Sequence, residues 1–277
     1  MLEGRHKGLK IEGPEYETIG MFAGLCLIDD IREVNYLNDV CDRLGIDTIT
    51  AGNVAGFAIE ATHRRDLGEV IEYGDVDAIA ELLRKVVYKE GIGKILAQGV
   101  RAAAKEWGLE DIAIHVKGME PPAYDPRTEQ GMALAYAISP RGACHLRATV
   151  YKAELSGMIP LDQSEGKAEI LIDFEDRHIL FDALILCRFF RDLYPWEKIA
   201  EIIKAATDMD LDKEQLHQIA LGISNKTREF NLREGLSNAD DSLPPGFFRP
   251  LEDSGNVLLK SDFDRMLSDY YALKGWN

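Results

Sequence analysis

Two segments of the chain repeat one arrangement of side chains that could do chemistry. Asp42-Arg-Leu-Gly-Ile-Asp47 and Asp182-Ala-Leu-Ile-Leu-Cys187 each begin with an aspartate at or inside an apolar helical pattern. A buried carboxylate is costly unless N–H donors satisfy it. A heterocycle rich in N–H groups would supply such donors, as would a helix end or an arginine. The repeat predicts two halves of one binding site; its alternative is a pair of capping or salt-bridging acids.

Two further candidates are a glutamate and a histidine. Glu15 and Glu17 follow a Gly13-Pro14 turn, where acids commonly cap a helix or face water. His145 lies in a loop next to a thiol, and because histidine titrates near neutrality it could relay a proton. A hydrogen-bonded structural histidine is the alternative. Adjacent Cys and His do not indicate a thiol protease, since those partners meet across a fold.

The cysteine pattern argues against a self-contained metal site. The four cysteines are scattered, with no CxxC pair, so neither a zinc site nor a disulfide framework is indicated: Cys26, Cys41, Cys144 and Cys187. Buried core thiols are the ordinary expectation. Cys187, within Leu-Ile-Leu-Cys, would ligate an iron–sulfur cluster only if three more thiolates converged on it.

Helical periodicity dominates the elements that must position these residues. Asp29 or Asp30, Asp47 and Asp75 are predicted to cap successive helices, and 164–193 carries the longest helical pattern, with 181–188 inside it. The best strand candidate is the short segment 112–116. The Pro-rich stretch 117–127 predicts a boundary between domains at 1–116 and 117–277. We therefore expect a mainly α fold of two helical domains packed side by side, with little strand.

Composition excludes several classes of protein. The chain has 277 residues, 46% hydrophobic, and a net charge of −16, which disfavours nucleic acid as a partner. No apolar run reaches the roughly 18 residues of a membrane span, and the first residues lack a signal-peptide core, so we expect a cytoplasmic protein without membrane contact. Gly91-Ile-Gly93 follows a helix and lacks a third glycine, so it does not indicate a dinucleotide fold.

The ordered series of motifs resembles the tungsten-dependent aldehyde:ferredoxin oxidoreductases. It runs from about residue 12 to the end of the chain in the order found in that family. Its members are GPEYET at 13–18, the Asp42–Asp47 frame, PPAYDPR at 121–127, RGACH at 141–145, DALILC at 182–187 and SDYYALKGW at 268–276. The resemblance covers only the two C-terminal, mostly helical domains of the family.

The resemblance implies an aldehyde-oxidising enzyme. Members oxidise aldehydes to carboxylic acids on tungsten, or molybdenum, held by two pterins (a molybdopterin-type cofactor), and pass two electrons through a [4Fe-4S] cluster to ferredoxin. Carried over by motif, Glu17 matches the acid near the metal and His145 the histidine beside the substrate oxygen. Asp42, Gly45, Ile46 and Asp47 match the first pterin-binding frame, Asp182 and Leu186 match the second, and Cys187 matches the fourth cluster cysteine.

Two departures shape what we expect of the chain. Ile185 stands where the second frame of the family usually has glycine, and residues 4–8, Gly-Arg-His-Lys-Gly, lack the cysteines that the family carries upstream of GPEYET. We expect the chain to be the C-terminal part of an aldehyde oxidoreductase that is inactive and cofactor-free alone. It would require an N-terminal β domain or subunit, and its uncovered apolar surface would allow self-association as a homo-oligomer. The alternative is a non-catalytic binding or assembly module that retains the helical shell.

Overall fold

The regular structure is helical. The computed structural model describes residues 3–161 and 163–276, and in these ranges β-pairing is limited to one isolated bridge between Val116 and Met119. The mainly α fold expected from the sequence is therefore confirmed. The strand expected at 112–116 is wrong: Lys117 and Gly118 have positive φ angles of 53° and 89°, so the chain reverses directly after Val116.

Twelve α-helices lie in the described part of the chain, and none of these helices is long and apolar enough to cross a membrane. They are α1 (Tyr16–Ile19), α2 (Ile31–Leu44), α3 (Thr48–Arg64), α4 (Val76–Tyr88), α5 (Gly93–Leu96), α6 (Val100–Trp107), α7 (Gln130–Ile138), α8 (Tyr151–Leu155), α9 (Lys167–Ala183), α10 (Trp196–Thr207), α11 (Lys213–Arg233) and α12 (Lys260–Lys274). A π-helix (Gly20–Leu25) follows α1, and 3₁₀ turns occupy Arg188–Leu193, Asn238–Asp240 and Pro245–Phe248.

The helices form two compact units, and neither is continuous in sequence. Unit 1 contains the chain up to Tyr124 together with 141–143 and 243–249, and unit 2 contains 125–140, 144–242 and the chain from Pro250 onward. The segments 141–143 and 243–249 therefore belong to unit 1 although unit 2 surrounds them in sequence. The domain boundary expected at 116/117 stays a prediction.

The core of unit 1 is built around α3. This helix is rich in small residues and is buried on almost every side, as its composition predicts. Aspartate side chains cap α2, α3 and α4, as predicted: Asp30 accepts from Arg32 N (2.9 Å), Asp47 from Thr50 N (2.8 Å) and Asp75 from Ala78 N (3.0 Å). These caps satisfy amides that have no partner inside their own helices.

The last helix of unit 2 is anchored by buried charge. Lys274 Nζ, 1% exposed, lies 3.0 Å from Glu175 Oε2 and 3.5 Å from Asp176 Oδ1 on α9. The hydroxyl of Tyr270 donates to the same Glu175 oxygen at 2.8 Å. Because a lone buried charge is costly, these groups stabilise α12 against α9 only as a set.

The pattern over 164–193 predicts one long helix or two helices with a kink, and the observed α-helix covers only part of it. Helix α9 spans Lys167–Ala183, and the chain then turns into the 3₁₀ segment Arg188–Leu193. The cause lies in the backbone, because Ile185 adopts a left-handed conformation with φ 59° that no α-helix continues through. Residues 181–183 are therefore the end of α9, 184–187 form a turn, and Arg188 begins the 3₁₀ segment.

Candidate functional site

The two repeated frames have the same backbone form. Gly45 N donates to Asp42 O (3.3 Å) and Ile46 N to Cys41 O (3.1 Å); Ile185 N donates to Asp182 O (3.2 Å) and Leu186 N to Phe181 O (2.8 Å). Gly45 has φ 71° and Ile185 has φ 59°, and both are left-handed. Each residue of 41–48 also falls in the same exposure class as its counterpart in 181–188. Each frame is thus a helix end closed by a left-handed residue.

The side chains of the first frame are open to solvent. Asp42, Gly45 and Asp47 are exposed, and Ile46 is half-buried. Asp42 accepts from Asn38 Nδ2 at 3.0 Å, while one oxygen of Asp47 caps α3. A Cβ on Gly45 would meet nothing within 4 Å, so the turn borders open space. Asp42 therefore does not carry the cost of a buried carboxylate, because the helix ends there and its carboxylate reaches solvent.

The second frame carries two arginines that the first lacks. Arg147 Nη1 lies 2.5 Å from Asp182 Oδ2, and Arg188 Nη2 lies 2.5 Å from Asp182 Oδ1. Asp182 is exposed and both of its oxygens are held in ion pairs, so in this structure it is a salt-bridging acid. Leu186 is half-buried, and Ile185, at the glycine position of the frame, is 92% exposed.

Glu17 is buried, unlike its neighbour Glu15. Only 7% of Glu17 is exposed, so the solvent-facing acid expected from the local sequence is wrong at this residue. Its Oε2 accepts from Ala123 N at 2.8 Å. Burial raises the pKa of Glu17, the Ala123 amide lowers it, and the negative charge of Asp47 raises it. A buried carboxyl with a raised pKa can exchange a proton nearer neutral pH than an ordinary glutamate.

Contacts inside unit 1 place Glu17 beside the first frame. Thr18 Oγ1 lies 2.9 Å from Thr48 Oγ1, which joins α1 to the start of α3 directly after Asp47. The structure therefore brings together a buried acid and an open, glycine-containing turn with two carboxylates, all in unit 1. The hydroxyls of Tyr16 and Tyr124 lie 3.0 Å apart next to this site.

His145 belongs to unit 2 and lies in a loop. The residue itself is half-buried, and the Cys144 sulfur before it accepts from Leu146 N at 3.4 Å. In unit 1, a Cβ on nearby Gly142, which has φ 112°, would meet Met119 Cβ at 2.8 Å. Glycine is needed there both for its backbone conformation and for close approach.

One of the four thiols is accessible. Cys26, Cys41 and Cys144 are buried, as expected, whereas Cys187 is exposed, so the core position expected for it is wrong. The reason is the helix end at Ala183, which leaves Cys187 in extended backbone beyond the turn. Burial raises the pKa of Cys26 and of Cys41 to about 12, which keeps these two sulfurs protonated.

The implied cofactors fit the chain to different degrees. The first frame suits a pterin, because exposed carboxylates and an unobstructed turn can accept from a ring rich in N–H groups. The second frame does not suit one as it stands, because Asp182 is already neutralised by two arginines. In residues 3–161 and 163–276 no three His, Cys, Asp or Glu side chains gather as metal ligands. The side chains of this chain therefore do not form a four-thiolate cluster site.

Sequence reasoning missed three contributors to these sites. Arg147 and Arg188 pair with Asp182, and Ala123 donates its amide to Glu17. Arg188 follows the second frame directly, so local sequence carries that signal. Arg147 lies 35 residues away from Asp182 and Ala123 lies 106 residues away from Glu17, and no local pattern reports such contacts.

Comparison with known proteins identifies the class. The model of the family described as aldehyde ferredoxin oxidoreductase, domains 2 & 3, matches residues 1–277. The chain belongs to this family, in agreement with the ordered motifs.

Two of the similar proteins are named as tungsten-containing enzymes. The tungsten-containing aldehyde ferredoxin oxidoreductases of Pyrococcus furiosus and Thermococcus kodakarensis are each 33% identical to the chain, over 96% of its length and 46% of theirs. An aliphatic sulfonate oxidoreductase, WOR-like subunit, of Pyrococcus furiosus is 31% identical over 99% of the chain and 45% of that protein. The chain thus spans about half the length of the curated relatives it matches.

A solved structure supports the fold. The active-site complex BamBC of benzoyl coenzyme A reductase, in complex with 1,5-dienoyl-CoA, matches with a TM-score of 0.71 and 20% identity. The match covers 97% of this chain and 48% of that chain. At this identity the likeness supports the helical fold alone.

Proposed function

We propose that the chain is the C-terminal part of an enzyme that oxidises aldehydes to carboxylic acids, with ferredoxin as electron acceptor. The observation that carries the proposal is Glu17, a buried carboxyl with a raised pKa that lies in unit 1 beside the open first frame. An acid placed there suits a reaction that adds the oxygen of water to a substrate and releases protons. Family membership supplies the class of reaction.

When bound, a tungsten or molybdenum bis-pterin supplies the two-electron oxidation of the aldehyde. In the first frame, Asp42 and Asp47 would accept hydrogen bonds from a pterin, and Gly45 and Ile46 would leave the turn open for its approach. Glu17 takes up a proton at Oε1, the carboxyl oxygen that is not bonded to Ala123. His145 donates an N–H to the aldehyde oxygen and polarises the carbonyl.

By motif, Asp182 and Leu186 of the second frame would contact the other pterin, although the frame as it stands does not suit one because Asp182 is paired with two arginines. A pterin at this frame would require Asp182 to give up at least one of its ion pairs with Arg147 and Arg188.

A partner is needed to complete the electron path. Cys187 is assigned as one thiolate of a [4Fe-4S] cluster whose other three ligands come from an N-terminal domain or subunit. Four apolar side chains next to it support a covering partner: Ile185, Phe189, Phe190 and Leu193 are between 55% and 92% exposed. Exposed clusters of this kind commonly mark interaction sites. Without that partner the chain is inactive, and these side chains would favour self-association.

The test measures cofactor content and turnover in the same samples. The tagged chain is purified alone and in complex with its native N-terminal partner, and tungsten, molybdenum, iron and pterin are quantified per chain. Aldehyde oxidation is followed with ferredoxin or a viologen dye as acceptor. The variant Glu17→Gln tests the assigned acid, and Glu15→Gln is the matched control because Glu15 is an exposed glutamate two residues away.

The expected result is metal and turnover in the complex only. Glu17→Gln should keep the metal and lose about 10²-fold or more in turnover, the ordinary contribution of a proton-transfer group, while Glu15→Gln stays active. Metal-free protein in both forms would overturn the proposal and favour a non-catalytic binding or assembly module. Full turnover in Glu17→Gln would remove Glu17 from the reaction.

A further inference from the structure

A glycine one turn after Glu17 lies against the segment that holds its carboxyl group. Gly20 has φ −56° and ψ −41°, ordinary right-handed helical angles that alanine adopts more readily than glycine. A Cβ on Gly20 would nevertheless lie 2.5 Å from the Ala123 Cβ, whereas carbons in contact are about 3.5–4.0 Å apart. The backbone conformation therefore does not explain glycine at residue 20, but the close approach of Ala123 does.

Ala123 also donates the hydrogen bond to Glu17. Its amide lies 2.8 Å from Glu17 Oε2, so the methyl and the N–H of one residue face Gly20 and Glu17 on the same short helical segment. A methyl group added at residue 20 requires a separation larger by about 1 Å or more, on the scale of carbon–carbon contacts. The same movement would carry the amide beyond hydrogen-bonding range of the carboxylate.

We propose that Gly20 is a positioning residue for Glu17: its missing side chain admits Ala123 to the distance at which the Ala123 amide holds and orients the Glu17 carboxylate. The inference rests on the proposed role of Glu17 and adds the device that fixes its geometry. With Oε2 held by the amide, Oε1 is the oxygen assigned to proton exchange.

The hydrogen bond from the Ala123 amide affects the pKa of Glu17. Burial and the charge of Asp47 both favour the neutral acid, and the Ala123 amide opposes them by stabilising the carboxylate. Removal of the bond therefore raises the pKa of Glu17 further. A change of packing that left the bond intact would lower thermal stability without moving this titration.

The experiment exchanges a methyl group between two positions. Gly20→Ala introduces the clash, and the double variant Gly20→Ala/Ala123→Gly moves the methyl from one side of the contact to the other. Gly24→Ala is the matched control, because Gly24 lies in the π-helix and a Cβ there meets nothing within 4 Å. The Glu17 carboxyl is titrated by ¹³C NMR in the full chain, with Glu17→Gln for assignment, and the Ala123 amide shift is followed over the same pH range.

In the parent chain and in Gly24→Ala the Ala123 amide should follow the titration of Glu17. In Gly20→Ala the pKa of Glu17 should rise and the amide should lose its response, and in the double variant the pKa should return to the parent value. An unchanged titration in Gly20→Ala overturns the proposal. If Gly20→Ala does not fold, the double variant decides. A pKa of Glu17 in the double variant that differs from the parent value would then overturn the proposal. These readings need no cofactor, so they are independent of the turnover of Glu17→Gln, which tests the proposed function.

Discussion

Replacement of Ile185 by glycine should stabilise the chain. Ile185 holds φ 59° although it is β-branched, and it is 92% exposed, so its side chain contributes almost no burial. A left-handed conformation costs a residue with a Cβ about 1–2 kcal/mol. Glycine removes that cost, but its greater conformational freedom in the unfolded chain offsets about 0.4–1 kcal/mol of the gain in the free energy of unfolding. The net gain should be about 1 kcal/mol.

The assay is thermal or denaturant unfolding followed by circular dichroism. For a chain of this size about 1 kcal/mol corresponds to a rise in Tm of about 2–4 °C. The first frame supplies the reverse experiment: Gly45→Ala places a Cβ at φ 71° with no neighbour within 4 Å, so backbone strain alone should lower Tm by a similar amount.

The control Ile185→Ala separates backbone strain from the loss of an exposed apolar side chain. Alanine keeps the strained conformation, so it should change Tm much less than glycine does. If Ile185→Ala stabilises the chain as much as Ile185→Gly, the effect comes from the removed side chain and the reasoning from φ is refuted.

Three further outcomes are expected from buried or accessible groups. Burial and a neighbouring carboxylate raise the pKa of Glu129 from 4.5 to about 7, so its neutral form adds stability below pH 4.5 that is lost as the pH rises to about 7. Glu129→Gln should flatten this part of a curve of Tm against pH. A curve that keeps the parent slope would contradict this expectation. In the folded chain Cys187 should be the one cysteine that reacts quickly with a chromogenic disulfide, and Cys187→Ser should abolish that fast phase. More than one rapidly reacting thiol would contradict the burial of the other three cysteines. Lys274→Met should lower the free energy of unfolding by about 3–5 kcal/mol in chemical denaturation, because it leaves Glu175 charged and buried. The control Lys260→Met, at an exposed ion pair, should lower it by less than about 1 kcal/mol. Equal effects of the two variants would refute the burial argument.

Helix caps and helical segments could be predicted because they depend on few neighbours. Asp30, Asp47 and Asp75 each accept from an amide two or three residues further along, so the sequence around each contains the whole interaction. The end of α9 could not be found in this way. Apolar residues continue past Ala183, and isoleucine is a residue that disfavours the left-handed turn that stops the helix.

In the candidate site, too, the sequence predicted local features but not long-range contacts. Motif order identified Glu17, whereas its burial depends on a segment more than a hundred residues away. Glu15, in the same local sequence, stays exposed, because no such segment covers it. Periodicity likewise gave no sign that Asp182 would be paired with Arg147, since the pair joins residues on separate elements. Exposure and long-range pairing come from the tertiary fold and not from the pattern of either segment.

The discontinuous make-up of unit 1 has a consequence for synthesis on the ribosome. Its first 124 residues are made before any of unit 2, but its last segment, 243–249, is made some 125 residues later. There Gly246 lies so near Ile114 that a Cβ would meet the Ile114 side chain at 2.5 Å. At about 5–20 residues per second, unit 1 waits roughly 6–25 s for this piece. During that interval its partly covered surface is exposed to chaperones and proteases, so slow codons between 125 and 242 should lower the yield of folded protein more than slow codons after 249.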